Sequence, residues 1–485
     1  MNAPRSATLC ALTACLLLAG CASVSPDGLR GQVQALADGR TAGVAAPALP
    51  SSDPTARQQA DAAVAQWLAQ PLQADAAVRI ALWRNPGLQA RLAALGVADA
   101  QRVQALTLPN PTLTLGRFRS GHEREIERTL GLGLIDLVTL PWRTRWQGQQ
   151  MEQATLDAAQ DVVRLAFDTR RAWLRAVAAE QVAATQERMH EAADAGAELA
   201  RRMARVGNWS RLQQAREQAL WTDSAAQLAR ARLAAATERE QLSRLMGLWG
   251  ADAHYTLPDR LPDLPVEPEA SEGIEARALR ERLDVRAARL ELDRVANTEG
   301  FAGVAPWAGD IGLAYTRNTT TEQDTGHADV KRGWEVELAV PLFDWGGAAR
   351  SQARGRTLQS AAQLQDVALR ARAEARTAWL GYRTAYDLAR QQRDAVVPLR
   401  RFISEETTLR YNGMLASVWQ MLAEARASSQ AVADALQAQR DFWLAEADLQ
   451  RALAGTSGNS SSGIASAALP GAAAGRAANP EPQGH

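Results

Sequence analysis

The chain is poor in most of what a catalyst or a nucleic-acid binder needs. Its three cysteines, Cys10, Cys15 and Cys21, all lie in the first 21 residues. The remainder of the chain can therefore form neither a disulfide framework nor a thiolate metal site. A formal net charge of +0 provides no basic surface for nucleic acid and no acidic tail. Aromatic residues make up 5% of the chain, and alanine recurs at the packing positions instead. After Cys21 no apolar run approaches the roughly 18 residues a membrane-spanning helix needs, so any crossing of a bilayer has to use strands. Catalytic signatures are missing as well. The Gly-x-Gly of LGLGLID lacks a third glycine and falls in a strand pattern, and no histidine stands four residues after His190. His190 sits on a helical packing stripe, where a satisfied packing role is the plainer assignment. His122 and His327 fall in polar loops and read as solvated.

What is present is a repeated strand-then-helix pattern. Trp334, Val336, Leu338 and Val340 alternate with Glu335, Glu337 and Ala339, the period of a strand with one apolar and one polar face, and Pro341 ends it. Past Gly347 the period changes. Ala361, Leu364, Ala368, Ala371, Ala375, Ala378, Tyr382, Ala385 and Ala389 succeed one another at steps of three and four, a coiled-coil seam. The seam is expected to continue through Gln392, Val396, Leu399 and Ile403, with Pro398 only bending the helix. From Ala349 to Gly413 this makes about 64 residues, or roughly 96 Å of helix. The same order occurs earlier: an alternating strand in RTLGLGLIDLVTLPWR, then a seam from Met151 through Val162, Ala176 and His190 to Ala204. Each run ends in a glycine-containing break, ARVGNWS and RYNGM, so the chain reads as two copies of one unit.

Four strand candidates serve the two copies: Pro111 to Phe118, Thr129 to Leu137, Asp310 to Arg317 and Trp334 to Leu342. At about 8 to 9 residues each they are slightly short of the roughly 9 to 11 that a tilted membrane strand needs. Ser120 to Glu127 and NTTTEQDTGHADVK read as the connecting loops. Leu113, Leu115, Leu130, Leu132, Leu134, Ile311, Leu313 and Tyr315 are placed toward lipid, with Gly, Thr, Ala and Glu toward a lumen. Trp142 and Trp345 come just after the strands, at the level of an interfacial belt. Four strands cannot close a barrel with a lumen, so a pore requires several copies.

The chain starts with a short basic segment at Arg5, an apolar stretch from Ala7 to Leu18, and the small-residue site Leu18-Ala19-Gly20-Cys21. This resembles the bacterial lipobox, which implies a signal peptide over 1–20, acylation of Cys21, and, with Ala22 next, the outer membrane. Residues 21–53 read as a lipidated tether, 54–249 as the first repeat (β-hairpin 111–137, long helix 142–205, return helix 210–248) and 250–275 as a proline-rich equatorial segment. The second repeat occupies 276–454 (β-hairpin 310–342, long helix 348–411, return helix 417–453). A disordered tail is expected over 455–485.

Several motifs resemble those of the TolC-like outer-membrane efflux proteins. They are Ala81, Leu82, Asn85 and Pro86 opening a first helix that Leu108-Pro109 closes, and Arg282-x-Asp284-Val285 in the second copy. VPLFDWGG at 340–347 and the Tyr-x-Gly tip at 411–413 complete the set. The match runs through nearly all of the chain after Cys21. The first copy departs in lacking a Gly pair after Asp136 and in having Val206 where the second has Asn412. The resemblance implies a mainly α protein with a small β part: two repeats of long coiled-coil hairpins in a periplasmic α-barrel, and four strands per protomer in a trimeric 12-stranded outer-membrane β-barrel. It implies a channel rather than an enzyme, the exit duct of a tripartite efflux system. Its partners would be two further copies, outer-membrane lipid, a periplasmic adaptor and an inner-membrane pump. No cofactor is expected beyond lipid on Cys21. The implied adaptor contact is the hairpin tips, Gly207, Asn208 and Trp209 with Asn412, Gly413, Met414 and Leu415; Trp209, Met414 and Leu415 are expected to be exposed. Each glycine is expected to end its helix in a left-handed conformation. Glu405, Glu406 and Arg410, just above the tip, are the gate candidates. Glu335 and Glu337 would place acid in the lumen, which leans toward cations. A periplasmic coiled-coil structural or adaptor lipoprotein is the alternative, set against by two hairpins each preceded by strands. A cell-wall enzyme is disfavoured by the missing catalytic residues.

Overall fold

The computed structural model describes residues 23–41, 54–107, 110–121, 123–302, 311–322, 325, 327–338 and 345–455. The signal segment, Cys21, Leu108-Pro109, His122, the 339–344 stretch and the tail beyond 455 lie outside the described residues. In chain order the elements are α1 (Arg30–Ala37), α2 (Pro54–Leu68), α3 (Ala74–Arg84), α4 (Pro86–Leu106), β1 (Thr112–Ser120), β2 (Glu123–Gly133), α5 (Ile135–Arg205) and α6 (Arg211–Met246). The second half repeats the order: α7 (Ile274–Glu281), α8 (Leu283–Ala302), β3 (Ile311–Glu322), β4 (Ala328–Leu338), α9 (Gly347–Gln391), a π turn (Gln392–Val396), α10 (Val397–Asn412) and α11 (Val418–Ala454). Helix α5 has 71 residues, about 106 Å at 1.5 Å per residue. The two long hairpins, α5 with α6 and α9–α10 with α11, pack side by side.

The strands form one antiparallel sheet in the order β1-β2-β3-β4. They are longer than the sequence reading made them, at 9, 11, 12 and 11 residues. The difference comes from Glu123–Arg128, Asn318–Glu322 and Ala328–Lys331, which continue the ladders instead of looping. In the other direction β2 stops at Gly133. Helix α5 begins at Ile135 rather than 142 and carries Pro141 inside its second turn. The tether assignment also changes. Leu29, just before α1, and Val33 and Ala37 within it are buried against the main core, the Ser25 amide donates to Asp99 Oδ2 at 2.7 Å, and Arg40 Nε donates to the Glu281 carbonyl at 3.1 Å. Residues 23–41 are therefore strapped to the helical body.

The core sits at the level where α1, α3, α4 and α8 wrap the middle of α5. There α5 is buried well beyond a single seam: Leu156, Val163, Phe167, Trp173 and Val177 are inaccessible beside the expected Val162 and Ala176. The duplicated motifs supply the hinges of this belt. Asn85 breaks α3 from α4; its side chain accepts from the Leu88 amide at 3.0 Å and donates to the Leu245 carbonyl at 2.9 Å. A Cβ on Gly247 would stand 2.4 Å from the Arg84 carbonyl oxygen. In the second copy Arg282, 1% exposed, separates α7 from α8. Its guanidinium donates to both Asp284 oxygens at 2.9 and 2.6 Å and to the Ala452 carbonyl at 2.8 Å, and pairs with Glu374 at 2.8 Å. Burial works against its charge, but Asp284 and Glu374 more than offset this and hold its pKa above the ordinary value. A Cβ on Gly455 would meet Asp284 Oδ1 at 2.7 Å. Each return helix thus ends in a left-handed glycine pressed onto the break between two equatorial helices.

In the second long helix, Ala371, Ala375, Tyr382 and Ala389 are buried as the seam requires. Leu399 is not; it is 58% exposed. The π turn at Gln392–Val396 inserts one residue into the helical count just before Pro398 and rotates the rest of the helix. Ile403 and Thr407 then take the half-buried positions.

Candidate functional site

Two regions carry functional character, the sheet and the helical tips. In the sheet the register fixes which side chains share a face, because neighbours along a strand alternate and directly paired residues point the same way. One face carries the rows Leu132–Leu313–Val336 and Leu113–Leu130–Tyr315–Trp334. Leu113 is 65% exposed and Trp334 72% exposed, so no described part of the protomer covers this face. The Tyr315 and Trp334 rings pack with centroids 5.0 Å apart. The other face carries Thr112–Gly131–Ala314–Glu335, then Thr114–Thr129–Thr316–Gly333, then Gly116–Glu127–Asn318–Lys331. Glu337 stands beside Gly312 at one end of it, and Glu125, Asp329, Glu123 and Glu322 lie toward the other. The lipid-side assignment of Leu113, Leu115, Leu130, Leu132, Leu313 and Tyr315 agrees with this register. Acid on the opposite face extends well beyond Glu335 and Glu337. The signal was in the sequence: EREIER alternates Glu123, Glu125 and Glu127 with Arg124, Ile126 and Arg128, a period of two that a loop assignment hides. Trp142, exposed by 43%, lies inside α5, nine residues after β2, and Trp345, exposed by 63%, follows β4 by seven residues.

The outer strands β1 and β4 each pair on one side only. Their free edges expose unpaired backbone groups, which an apolar solvent cannot satisfy.

At the tips, both return helices start on the same device. Ser210 and Ser417 cap α6 and α11 in reciprocal boxes with Gln213 and Gln420. Counting back from these serines corrects the expected alignment. In the first tip Gly207 is left-handed at φ 84; its amide donates to the Ala204 carbonyl and that of Asn208 to Met203. In the second tip Gly413 is not left-handed, having φ −83. Met414 takes that role at φ 58, with its amide on the Tyr411 carbonyl at 2.9 Å and that of Leu415 on Arg410 at 2.8 Å. Gly207 therefore corresponds to Met414, one residue further than the sequence alignment has it, and Asn412 closes α10 itself. Met414 and Leu415 are 94% and 82% exposed. Trp209 is not exposed as expected: it is half-buried and stacks on Trp419 with centroids 4.9 Å apart and planes at 14°. It fastens the tip of one hairpin to the return helix of the other, a contact the sequence does not announce.

Of the three gate candidates the structure joins two. Arg410 Nε pairs with Glu406 Oε1 at 3.2 Å, whereas Glu405 faces a shallow groove with Arg393, Arg401 and Phe402. Higher between the hairpins, Glu217, 1% exposed, pairs with Arg426 at 2.6 Å. His190 Nδ1 lies 2.9 Å from Ser224 Oγ beside Trp221, a packing environment. His327 is exposed. Among the described residues no three His, Cys, Asp or Glu side chains are placed to hold a metal ion, and no helix is long and apolar enough to cross a membrane.

No family model and no curated protein matches the chain. Several solved structures do. It is similar to the CmeC outer membrane channel of Campylobacter jejuni, with a TM-score of 0.65 at 15% identity, covering 79% of this chain and 86% of that one. It is also similar to the open state of the MtrE outer membrane channel of Neisseria gonorrhoeae, with a TM-score of 0.62 at 18% identity over 78% and 88%. A third is the outer membrane protein VceC of Vibrio cholerae, with a TM-score of 0.56 at 14% identity over 82% and 96%. With a four-stranded sheet set on two long helical hairpins, the chain has the fold of these outer-membrane channel proteins.

Proposed function

We propose that the protein is the outer-membrane exit duct of a tripartite efflux system and works as a homotrimer whose twelve strands close one barrel. The observation that carries this is the sheet. It is apolar in the lower rows of one face and acidic on the other, has two bare edges, and stands on helices about 100 Å long. Bare edges and an uncovered apolar face are liabilities in water. Both disappear when three copies join edge to edge in a bilayer. The acidic face then lines the lumen, and the helices continue the duct across the periplasm. Lipid on Cys21 would hold the start of the chain in the same membrane, close to the strapped residues 23–41. At the far end Met414 and Leu415 offer an apolar surface to a periplasmic adaptor, which in turn connects to an inner-membrane pump. The Glu406–Arg410 pair lies just above and is suited to a polar latch that opens when the tips are engaged.

Purified protein added to a planar bilayer is expected to give discrete conductance steps with a preference for cations, and Glu335→Gln with Glu337→Gln to reduce that preference. A protein that adds no conductance to the bilayer would refute the channel.

A further inference from the structure

The apolar face of the sheet does not stay apolar to its upper end. Above the Leu113–Leu130–Tyr315–Trp334 row the register places Leu115–Arg128–Arg317–Arg332, then Arg117 beside Ile126, then Arg119 beside Arg124. All six arginines of the four strands lie on this face and every strand carboxylate lies on the other. Arg128 and Arg317 are directly opposed, and so are Arg317 and Arg332. Like charges in that relation destabilise a sheet. Among the described residues no ion pair relieves Arg117, Arg128, Arg317 or Arg332, and all four side chains are exposed. Placed against hydrocarbon at mid-depth, an arginine destabilises a barrel, and the penalty fades toward the interface. The arginine row therefore fixes the depth of the barrel: it must stand at a headgroup layer. It lies at the end of the hairpins away from the helices, which is the outer leaflet if the helices cross the periplasm.

We infer that this face is a binding site for an outer-leaflet lipid whose headgroup carries more than one phosphate, with Arg128, Arg317 and Arg332 as its centre and Arg117 above them. Three adjacent strands spread these guanidiniums over about 10 Å at 4.7–4.9 Å per strand. One phosphate bridges two such forks, and a second phosphate occupies the third. Guanidinium is suited to this because its planar donors grip phosphate oxygens in pairs and it desolvates more readily than ammonium. Leucine, tyrosine and tryptophan in the rows beneath supply the surface for the acyl chains. An anionic lipid would remove the repulsion between opposed arginines, so binding and barrel stability are coupled.

The inference rests on the membrane assignment of the sheet, and the two can fail separately. The detergent-solubilised, unmutated protein is titrated with bis-phosphorylated lipid A, with the same lipid after enzymatic removal of both phosphates, and with inorganic phosphate as competitor, in chelator to exclude bridging by divalent cations. Bound lipid is read by native mass spectrometry. Retention of the phosphorylated lipid, about tenfold or more weaker binding of the dephosphorylated one, and little competition by free phosphate are expected. Equal binding of the two lipids overturns the inference, as does displacement by low concentrations of free phosphate, which would indicate a simple anion site. The triple variant Arg128→Gln, Arg317→Gln, Arg332→Gln should lose the discrimination while bilayer conductance persists; a triple variant that still discriminates also overturns it. If the protein conducts but never discriminates, only this inference falls, whereas absence of conductance removes the membrane assignment beneath it.

Discussion

Met414 holds a left-handed backbone at φ 58 where the other tip has a glycine, and its side chain contacts almost nothing. A side chain in that conformation costs about 1 kcal/mol or more. Met414→Gly is accordingly expected to raise the thermal midpoint, monitored by helical circular dichroism, while weakening any partner that uses the methionine. A lowered midpoint would show that the methionine stabilises the turn. Glu446 makes a second prediction. Burial pushes its carboxyl above the ordinary range, Arg170 pulling it back and Glu269 adding to the rise, and its Oε2 has no hydrogen-bond partner. The folded chain then keeps this proton at pH values where the unfolded chain has lost it, so stability falls as pH rises from the ordinary glutamate value through the raised one. Glu446→Gln should match the parent at acidic pH and be the more stable of the two at neutral pH. Equal pH profiles in thermal melts would exclude this account. At this scale the sequence is only partly legible. Arg282 and Asp284 stood out as a motif, yet nothing local says that the guanidinium is buried between the middle of α9 and the end of α11. Its partners Glu374 and the Ala452 carbonyl are set by tertiary packing.

Among the elements, the long helices and their breaks are legible because a three-and-four alternation of small residues leaves no other way to bury them. The exceptions have identifiable causes. One residue inserted at the π turn displaces Leu399 from the seam without disturbing anything visible in composition. Charged residues in EREIER look like a loop, although they alternate as a strand with charged residues on both faces. The Gly, Ala and Pro content around α1 suggests a loose tether, yet Val33 and Ala37 are enough to dock one short helix. The stacking of Trp209 on Trp419 leads to a test between the hairpins. Removing an aromatic partner costs about 0.5–1.5 kcal/mol beyond its buried area. Trp209→Ala should therefore speed trypsin cleavage at Arg205, Arg211 and Arg410 while leaving the sheet unaffected. Unchanged cleavage rates would mean that the stack does not hold the tips together.

For the whole molecule, the free edges of β1 and β4 predict that the protein extracted in mild detergent sediments as a trimer, and a stable monomer by light scattering would contradict the proposed barrel. Cys21→Ala should abolish metabolic labelling with a fatty acid and still yield trimer, because in the proposed barrel the sheet and not the lipid would carry the membrane contact. Label persisting on that variant would remove Cys21 as the acylation site.

The pairing of β2 with β3 joins Gly133 to Gly312 and Glu123 to Glu322, partners from opposite halves of the chain. Each hairpin can form as soon as it is made, but the seam between them has a whole helical hairpin and the equatorial segment to close over first, and long-range pairing is slow. Until β3 is in place, β2 has a second bare edge. The first repeat produced alone is then a half-sheet with no route into a bilayer. Assembly has to be ordered in time, with the half-made chain kept from pairing with its neighbours until the second repeat arrives, and a secretion arrest placed between the repeats should leave an aggregating fragment rather than a smaller pore.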